Sequence, residues 1–319
     1  MRPLLLLVTA AVVSLVAYLL LFGFVVSRPL VVDQFYVFLD KKLAYAESTP
    51  HPKLFIVAGS NARFSHSCAV LEASFGRPCI NMGISADVAL DWILDETRAE
   101  LKAGDMVYLP LEYELYPLSR TRMETGVDAA YRFRHDKASL ASRGTEGTLR
   151  AAFMFSLPTL IHSIGEMGLK YVGVQRRDTV DMLNRQGDEI GHDGAKALPY
   201  RAVIRRTKQV MPDPQMLPDN PGGSQAALAA FLDWCRAHHV AAVGGLPTVF
   251  NDRPIPDAVP DTLRRFYARH GAGFLVLPNR SQYPRADFYD AAYHLRQSAQ
   301  MRHSKLVAQG LHQFLLKPS

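Results

Sequence analysis

The sequence predicts an α/β fold: a three-layer α/β/α sandwich with a mainly parallel, five-stranded sheet, preceded by one N-terminal transmembrane helix. Three observations carry this reading. Short apolar runs alternate with helix-length segments, as in strand–helix–strand units with parallel strands. The runs are apolar throughout rather than alternating, which suits strands covered on both faces. Residues 4–26 form an uncharged apolar stretch, and roughly 20 such residues cross a bilayer.

Residues 1–28 read as the anchor. A cleavable signal has an apolar core of about 7–15 residues with a small-x-small site close behind it. The nearest such site here, Ala44-Tyr45-Ala46, lies well past the run and beyond Lys41-Lys42, which favours an uncleaved helix. A buried core helix competes, but the run is apolar on every side. Arg2 precedes it, while Arg28, Lys41 and Lys42 come after it. Charge alone thus slightly favours a cytoplasmic placement of the domain C-terminal to the helix. N-terminal anchors of this kind most often export the domain attached to them, and that is the expectation. Residues 29–52 read as a juxtamembrane segment, with Phe35, Tyr36 and Phe38 near the membrane surface.

The domain at 53–319 opens with a strand over 54–58 and a helix over 62–75, closed by Gly76-Arg77-Pro78. A second strand covers 79–82, a helix 87–102 and a third strand 106–111. The alternation then breaks. Residues 114–223 contain helical stretches at 127–137 and 149–167 joined by Gly- and Pro-rich connections. They read as a mostly helical insertion over the carboxyl ends of the strands, where α/β sheets bind ligands. Residues 212–223 return the chain to the core. A helix over 225–238, a strand over 240–244, a helix over 261–270, a strand over 274–277 and a closing helix over 297–316 complete the fold.

The chain has 319 residues, 48% hydrophobic and 21% charged, which excludes a disordered protein. Its net charge is +6. The densest basic residues are Arg132, Arg134, Arg176, Arg177, Arg205, Arg206 and Lys208. They read as a solvated face, or as a patch for anionic lipid or a polyanion. No nucleic-acid module is present, and no nucleic-acid partner is expected. Cys68 and Cys79 either close a small disulfide loop in an oxidising compartment or are small core residues, as Cys235 is. Cysteine spacing shows no zinc signature; no metal and no cofactor are expected.

The chemistry rests on two segments. Ser60 lies in Ala58-Gly59-Ser60-Asn61, just after the first strand. Asp290 and His294 lie in a loop before the closing helix, with Asp287 as a fallback carboxylate. A hydroxyl, an imidazole and a carboxylate are the parts of nucleophilic acyl chemistry. Ser60 could instead be a turn residue or helix cap, and His294 a core histidine. His66 reads as a surface histidine, and His238-His239 as a helix end.

In the order Ser, then Asp shortly before His, the chain resembles the SGNH (GDSL-type) hydrolase superfamily, whose fold is flavodoxin-like. The resemblance implies Ser60 as nucleophile, with Gly59 where the family has Asp, and Asp290 and His294 as partners at a spacing of four instead of three. Asn81-Met82-Gly83 fits the second block. The oxyanion hole would comprise the amides of Ser60 and Gly83, with Asn61. At the third block, where the family has an asparagine, this chain has none and Glu112 falls near that place. Glu112, Tyr113 and Tyr293 are candidate substrate-binding residues; Tyr289 and Tyr293 line a sugar site or pack in the core. The Gly-Ser-Asn turn, Asn-x-Gly-Ile, Pro-Leu-Glu-Tyr-Glu and Tyr-His-Leu are similar to periplasmic proteins that O-acetylate bacterial exopolysaccharides such as cellulose or alginate. That implies a polysaccharide acceptor and a multipass membrane O-acyltransferase partner. It also implies a single-pass inner-membrane protein with its catalytic domain in the periplasm. An SGNH-type carbohydrate or lipid esterase, and a non-catalytic polysaccharide-binding or assembly subunit, are the alternatives.

Overall fold

A computed structural model describes residues 2–26, 30–86, 88, 90–117, 129, 132–134, 140–141, 144–153, 161, 164–165, 168–169, 171–173, 182–212 and 223–315. The protein is α/β, with one apolar N-terminal helix and a parallel five-stranded sheet. The strands are β1 (Leu54–Ile56), β2 (Cys79–Asn81), β3 (Met106–Leu109), β4 (Ala241–Gly245), β5 (Val249–Phe250), β6 (Gly273–Leu275) and β7 (Gln282–Tyr283). The main sheet has the order β2-β1-β3-β4-β6, every neighbouring pair parallel. β1 therefore lies between β2 and β3, Leu54 facing Cys79 on one side and Met106 on the other. The strand order reverses between β1 and β3, and ligands bind beyond the carboxyl ends at such a switch point. β5 and β7 form a small parallel pair that the sequence did not announce, two residues each being too short for a periodic signal.

The helices are α1 (Arg2–Leu21), α2 (Leu30–Ser48), α3 (Ser60–Ser65), α4 (Cys68–Phe75), α5 (Leu90–Glu100), α6 (Gly144–Phe153), α7 (Arg201–Arg206), α8 (Ser224–Ala237), α9 (Ala258–Arg269) and α10 (Gln297–Leu315). α10 packs on α3 and α4, α8 on α5 and β4, and α9 on β4 and β6. The helix expected over 62–75 is two helices. His66 is extended (φ −121°, ψ 138°) between them. Side chains capture the backbone there: Ser304 Oγ accepts from the Ser67 amide, Asp188 from the Cys68 amide, and Asn81 Nδ2 donates to the Ala62 carbonyl. Cys68 and Cys79 form a disulfide, with Cα atoms 5.1 Å apart. His66 is buried, not on the surface.

The chain divides into two compact units, residues 1–36 with 121–178, and residues 37–120 with 179–319. Of the helices expected in the first, 127–137 is described only at 129 and 132–134. For 149–167, α6 starts earlier and reaches Phe153; 154–160 lie outside the described residues. The return segment is described only at 212 and 223, and Arg176 and Arg177 lie outside the described residues. Arg132 is buried, so it belongs to no solvated face.

The unit that holds the sheet begins inside α2, so its core includes residues read from sequence as juxtamembrane. Phe38 is buried, its ring 5.0 Å from the Arg63 guanidinium. Lys42, expected as a membrane-flanking charge, is fully buried. Its three donors meet three carbonyls: Asn81 at 2.6 Å, Gly83 at 2.8 Å and Gly187 at 2.8 Å. Burial lowers its pKa to about 7; the Arg63 charge adds to this, and Asp188 and Glu189 oppose it.

Lys42→Ala leaves those carbonyls buried without a donor. At about 1–3 kcal/mol for each unsatisfied group, the variant is expected to lose at least that much stability in denaturant unfolding. Lys41→Ala, on an exposed neighbour, should stay within about 0.5 kcal/mol of the parent. Reduction of Cys68–Cys79, measured the same way, should cost about 2–4 kcal/mol.

Candidate active site

β1 ends at Ile56, and Ser60, four residues on, is the first residue of α3 and half-buried. Gly59 makes the turn possible. A Cβ there would lie 2.6 Å from the Ala86 amide nitrogen and 2.7 Å from Glu112 Oε1. No side chain fits, so an aspartate at this place has no room. Gly83 is as tightly held, since its Cβ would meet Ala62 Cβ at 2.6 Å and the Gly59 carbonyl at 2.7 Å.

Glu112, just beyond β3, is fully buried. Its Oε2 accepts from the Gly59 amide at 2.9 Å and its Oε1 from the Asn61 amide at 2.7 Å. These amides flank Ser60, so one carboxylate staples the turn from both sides. Burial raises the Glu112 pKa to about 7, against the lowering effect of the amide bonds. Glu112 is therefore closed to a substrate; its contacts make it a positioning residue for Ser60.

Two of the expected oxyanion donors are occupied. Asn61 spends its amide on Glu112 and its side-chain Nδ2 on the Pro110 carbonyl at 2.7 Å, while its Oδ1 accepts from the Thr248 amide. The Gly83 amide donates to Asn81 Oδ1 at 3.1 Å. Among the described residues, neither the amide nor the hydroxyl of Ser60 has a hydrogen-bond partner. Tyr113 is buried, and its hydroxyl has no partner among the described residues. Tyr293 is half-buried and donates its hydroxyl to Glu114.

Asp290 and His294 meet: Asp290 Oδ1 lies 2.6 Å from His294 Nδ1. The loop accounts for the spacing of four. Phe288 and Leu295 form an antiparallel bridge, and the Tyr289 amide donates to the His294 carbonyl at 2.8 Å. That closure turns Asp290 in beside the ring. Burial pushes the Asp290 pKa up, but the His294 hydrogen bond, the His294 charge and Arg63 outweigh it and hold it below the usual value. Asp287 instead pairs with Arg302 at 2.9 Å.

Phe64 joins the two segments. Its ring stacks on His294, with centroids 4.0 Å apart at 14°. Ser60 and Phe64 are four residues apart on α3 and share its face. The pairing leaves His294 Nε2 uncommitted on the described residues. Ser65 Oγ donates to the Tyr293 carbonyl at 2.6 Å and accepts from the Leu295 amide at 3.2 Å, gripping the peptides on both sides of His294. Thr248 Oγ1 bonds Asn61 Oδ1 at 2.9 Å. Sequence reasoning missed Phe64, Ser65 and Thr248; the i,i+4 spacing from Ser60 was the only available signal.

Segment 188–200, from the end of the insertion, closes one side. His192 is buried edge-on against Phe64 and Tyr289, and Tyr200 packs on Tyr289. Burial lowers the His192 pKa to about 4, so the ring is neutral at pH 7. Tyr289 is thus a packing residue. Glu189 lies 3.2 Å from Arg63 Nε, close but outside hydrogen-bond geometry. Burial raises its pKa to about 7, with Arg63 opposing. No protein-family model matches the chain, and no curated protein does.

Glu112→Gln turns an NH₂ toward one flanking amide and leaves it unpaired, which should cost about 1–3 kcal/mol in denaturant unfolding. The native Glu112 pKa lies above its unfolded value of 4.5. The folded state therefore binds the extra proton between those values, and stability falls as pH rises from 4.5 to about 7. In Glu112→Gln, the slope of unfolding free energy against pH should be flatter across that window.

Proposed function

We propose that this chain is an extracytoplasmic O-acetyltransferase acting on a polysaccharide, with an SGNH-like three-layer sandwich and an acetyl-serine intermediate. The single observation that carries the reading is the Asp290–His294 pair stacked on Phe64, one helical turn from Ser60. The β2-β1-β3-β4-β6 order of the main sheet supports it, because Ser60 and Glu112 follow within four residues of the two strands at the switch point. So does the packing of helices α10 and α8 on different partners. A helix over Arg2–Phe24 long and apolar enough to span a membrane supports anchoring. The disulfide supports an oxidising compartment, here the periplasm.

Nδ1–H of His294 donates to Asp290, which fixes the tautomer with Nε2 as the base. Nε2 takes the Ser60 proton as Oγ attacks the acetyl carbonyl. The Ser60 amide donates to the oxyanion. The tetrahedral intermediate collapses, and His294 returns the proton to the leaving group. A sugar hydroxyl then gives its proton to His294 and attacks the acetyl-serine. Ser60 regains the proton and the acetylated sugar departs. The donor would be a multipass membrane O-acyltransferase.

A second reading, a non-catalytic polysaccharide-binding or assembly subunit, is favoured by the occupied Asn61 and Gly83 donors. Intact-mass spectrometry after incubation with an activated acetyl ester separates the two. The enzyme reading expects one added acetyl group on the parent, none on Ser60→Ala, and up to about 10⁴-fold slower labelling of Asp290→Asn. Equal labelling of parent and Ser60→Ala would sink it. An added oligosaccharide should speed loss of the acetyl group and become acetylated; an esterase would release acetate at the same rate with or without it.

A further inference from the structure

We infer that α6, together with the exposed Ile161, Tyr171 and Val172, makes a second membrane contact, with α6 seated in the lipid interface beside α1. This rests on reading α1 as a membrane span. The candidate span, Arg2–Phe24, has 23 residues, about 35 Å at 1.5 Å per residue. The hydrocarbon core is about 30 Å thick, so a centred span overhangs it by only 2–3 Å at each end.

α6 meets this helix below the overhang, inside the hydrocarbon edge. The Tyr18 hydroxyl donates to the Ala152 carbonyl, and the Tyr18 and Phe153 rings stack with centroids 5.0 Å apart. Phe22 packs edge-on to Phe133 at 4.9 Å. Tyr18 lies six residues from Phe24, about 9 Å from the helix end, and hence about 6 Å below the hydrocarbon edge. Whatever packs on Tyr18 shares that depth. The burial of α1 agrees. Its residues before Tyr18 are exposed all round, while Phe22 is 2% exposed and Tyr18 and Leu21 are partly covered.

The polar groups at this contact are matched. Ala152 lies in the last turn of α6, where carbonyls lack intrahelical donors. An unsatisfied carbonyl in lipid costs several kcal/mol, and the Tyr18 hydroxyl meets it. The free face of the element is apolar. Leu149 and Phe153, four residues apart on one side of α6, are more than half exposed, and so are Ile161, Tyr171 and Val172. Water disfavours large apolar side chains left exposed in this way, and lipid removes that cost. The exposed charges of α6 pair with each other, Arg150 with Glu146 at 2.7 Å, so no net charge is carried to the interface by that pair. Interfacial helices sit at a depth of about 5–10 Å, which matches Tyr18.

The experiment uses the full chain in lipid nanodiscs with single nitroxide labels at Leu149→Cys, Tyr171→Cys, Leu7→Cys and Arg236→Cys. All four positions are exposed, which leaves packing undisturbed. Relaxation by oxygen is compared with relaxation by a water-soluble nickel chelate. The labels at 149, 171 and 7 should be oxygen-dominated, and the label at 236 chelate-dominated. If position 7 is oxygen-dominated while 149 and 171 respond to the chelate, the span stands and the second element is refuted. If position 7 itself responds to the chelate, the span reading fails and the inference falls with it.

Discussion

One buried carboxylate, Glu112, bonds the two backbone amides on either side of Ser60, and the shape of the site depends on that staple. β1 and β3 are neighbours in the sheet, so their carboxyl ends deliver the Ser60 turn and Glu112 to one place. Removing a carboxylate from water is costly unless its lone pairs are met. Here two amides meet them, and the chain has no room at Gly59 for anything but hydrogen. The outcome is a turn whose flanking amides are fixed while, among the described residues, the amide and hydroxyl of Ser60 have no partner.

From that turn, polar contacts reach the rest of the site. Asn61 holds Pro110 and Thr248, and Ser65 holds the peptides around His294. Asp188 bonds the start of α4 and the Asn81 side chain, and Lys42 ties α2 to the loop after β2. These segments are remote in sequence, and each buries polar groups whose partners lie on another segment. Buried networks of this kind specify one arrangement because a half-satisfied version is costly. His294 needs little else: Phe64 sets its plane and Asp290 its tautomer.

The fold was legible where apolar runs are long. The strands of the main sheet and the helices α5, α8, α9 and α10 lie within a few residues of the patterns that announce them, since periodicity reports burial. Boundaries drifted because ladder pairing stops before the apolar run does, as at Ile56. The His66 break, the β5–β7 pair and the burial of Lys42 were not legible, because each depends on partners far along the chain. Residue types and order single out Ser60, Asp290 and His294 as candidates, and of these Asp290 and His294 meet. The role of Glu112 was not legible, because a carboxylate at the end of a strand reads as substrate-facing until the amides it accepts from are known. Gly83 and Asn61 read from sequence as donors for the same reason: their competing acceptors, Asn81, Pro110 and Glu112, are visible only in three dimensions.

The central claim is that the stapled turn presents Ser60 as a nucleophile to the Asp290–His294 pair. A crystal structure of the full chain in detergent, after reaction with a fluorophosphonate, tests it most directly. The account predicts phosphorus bonded to Ser60 Oγ, a phosphonyl oxygen within hydrogen-bond distance of the Ser60 amide, and Glu112 still on the Gly59 and Asn61 amides. An adduct on another residue, or an unreacted Ser60 with His294 turned away from it, would contradict the account.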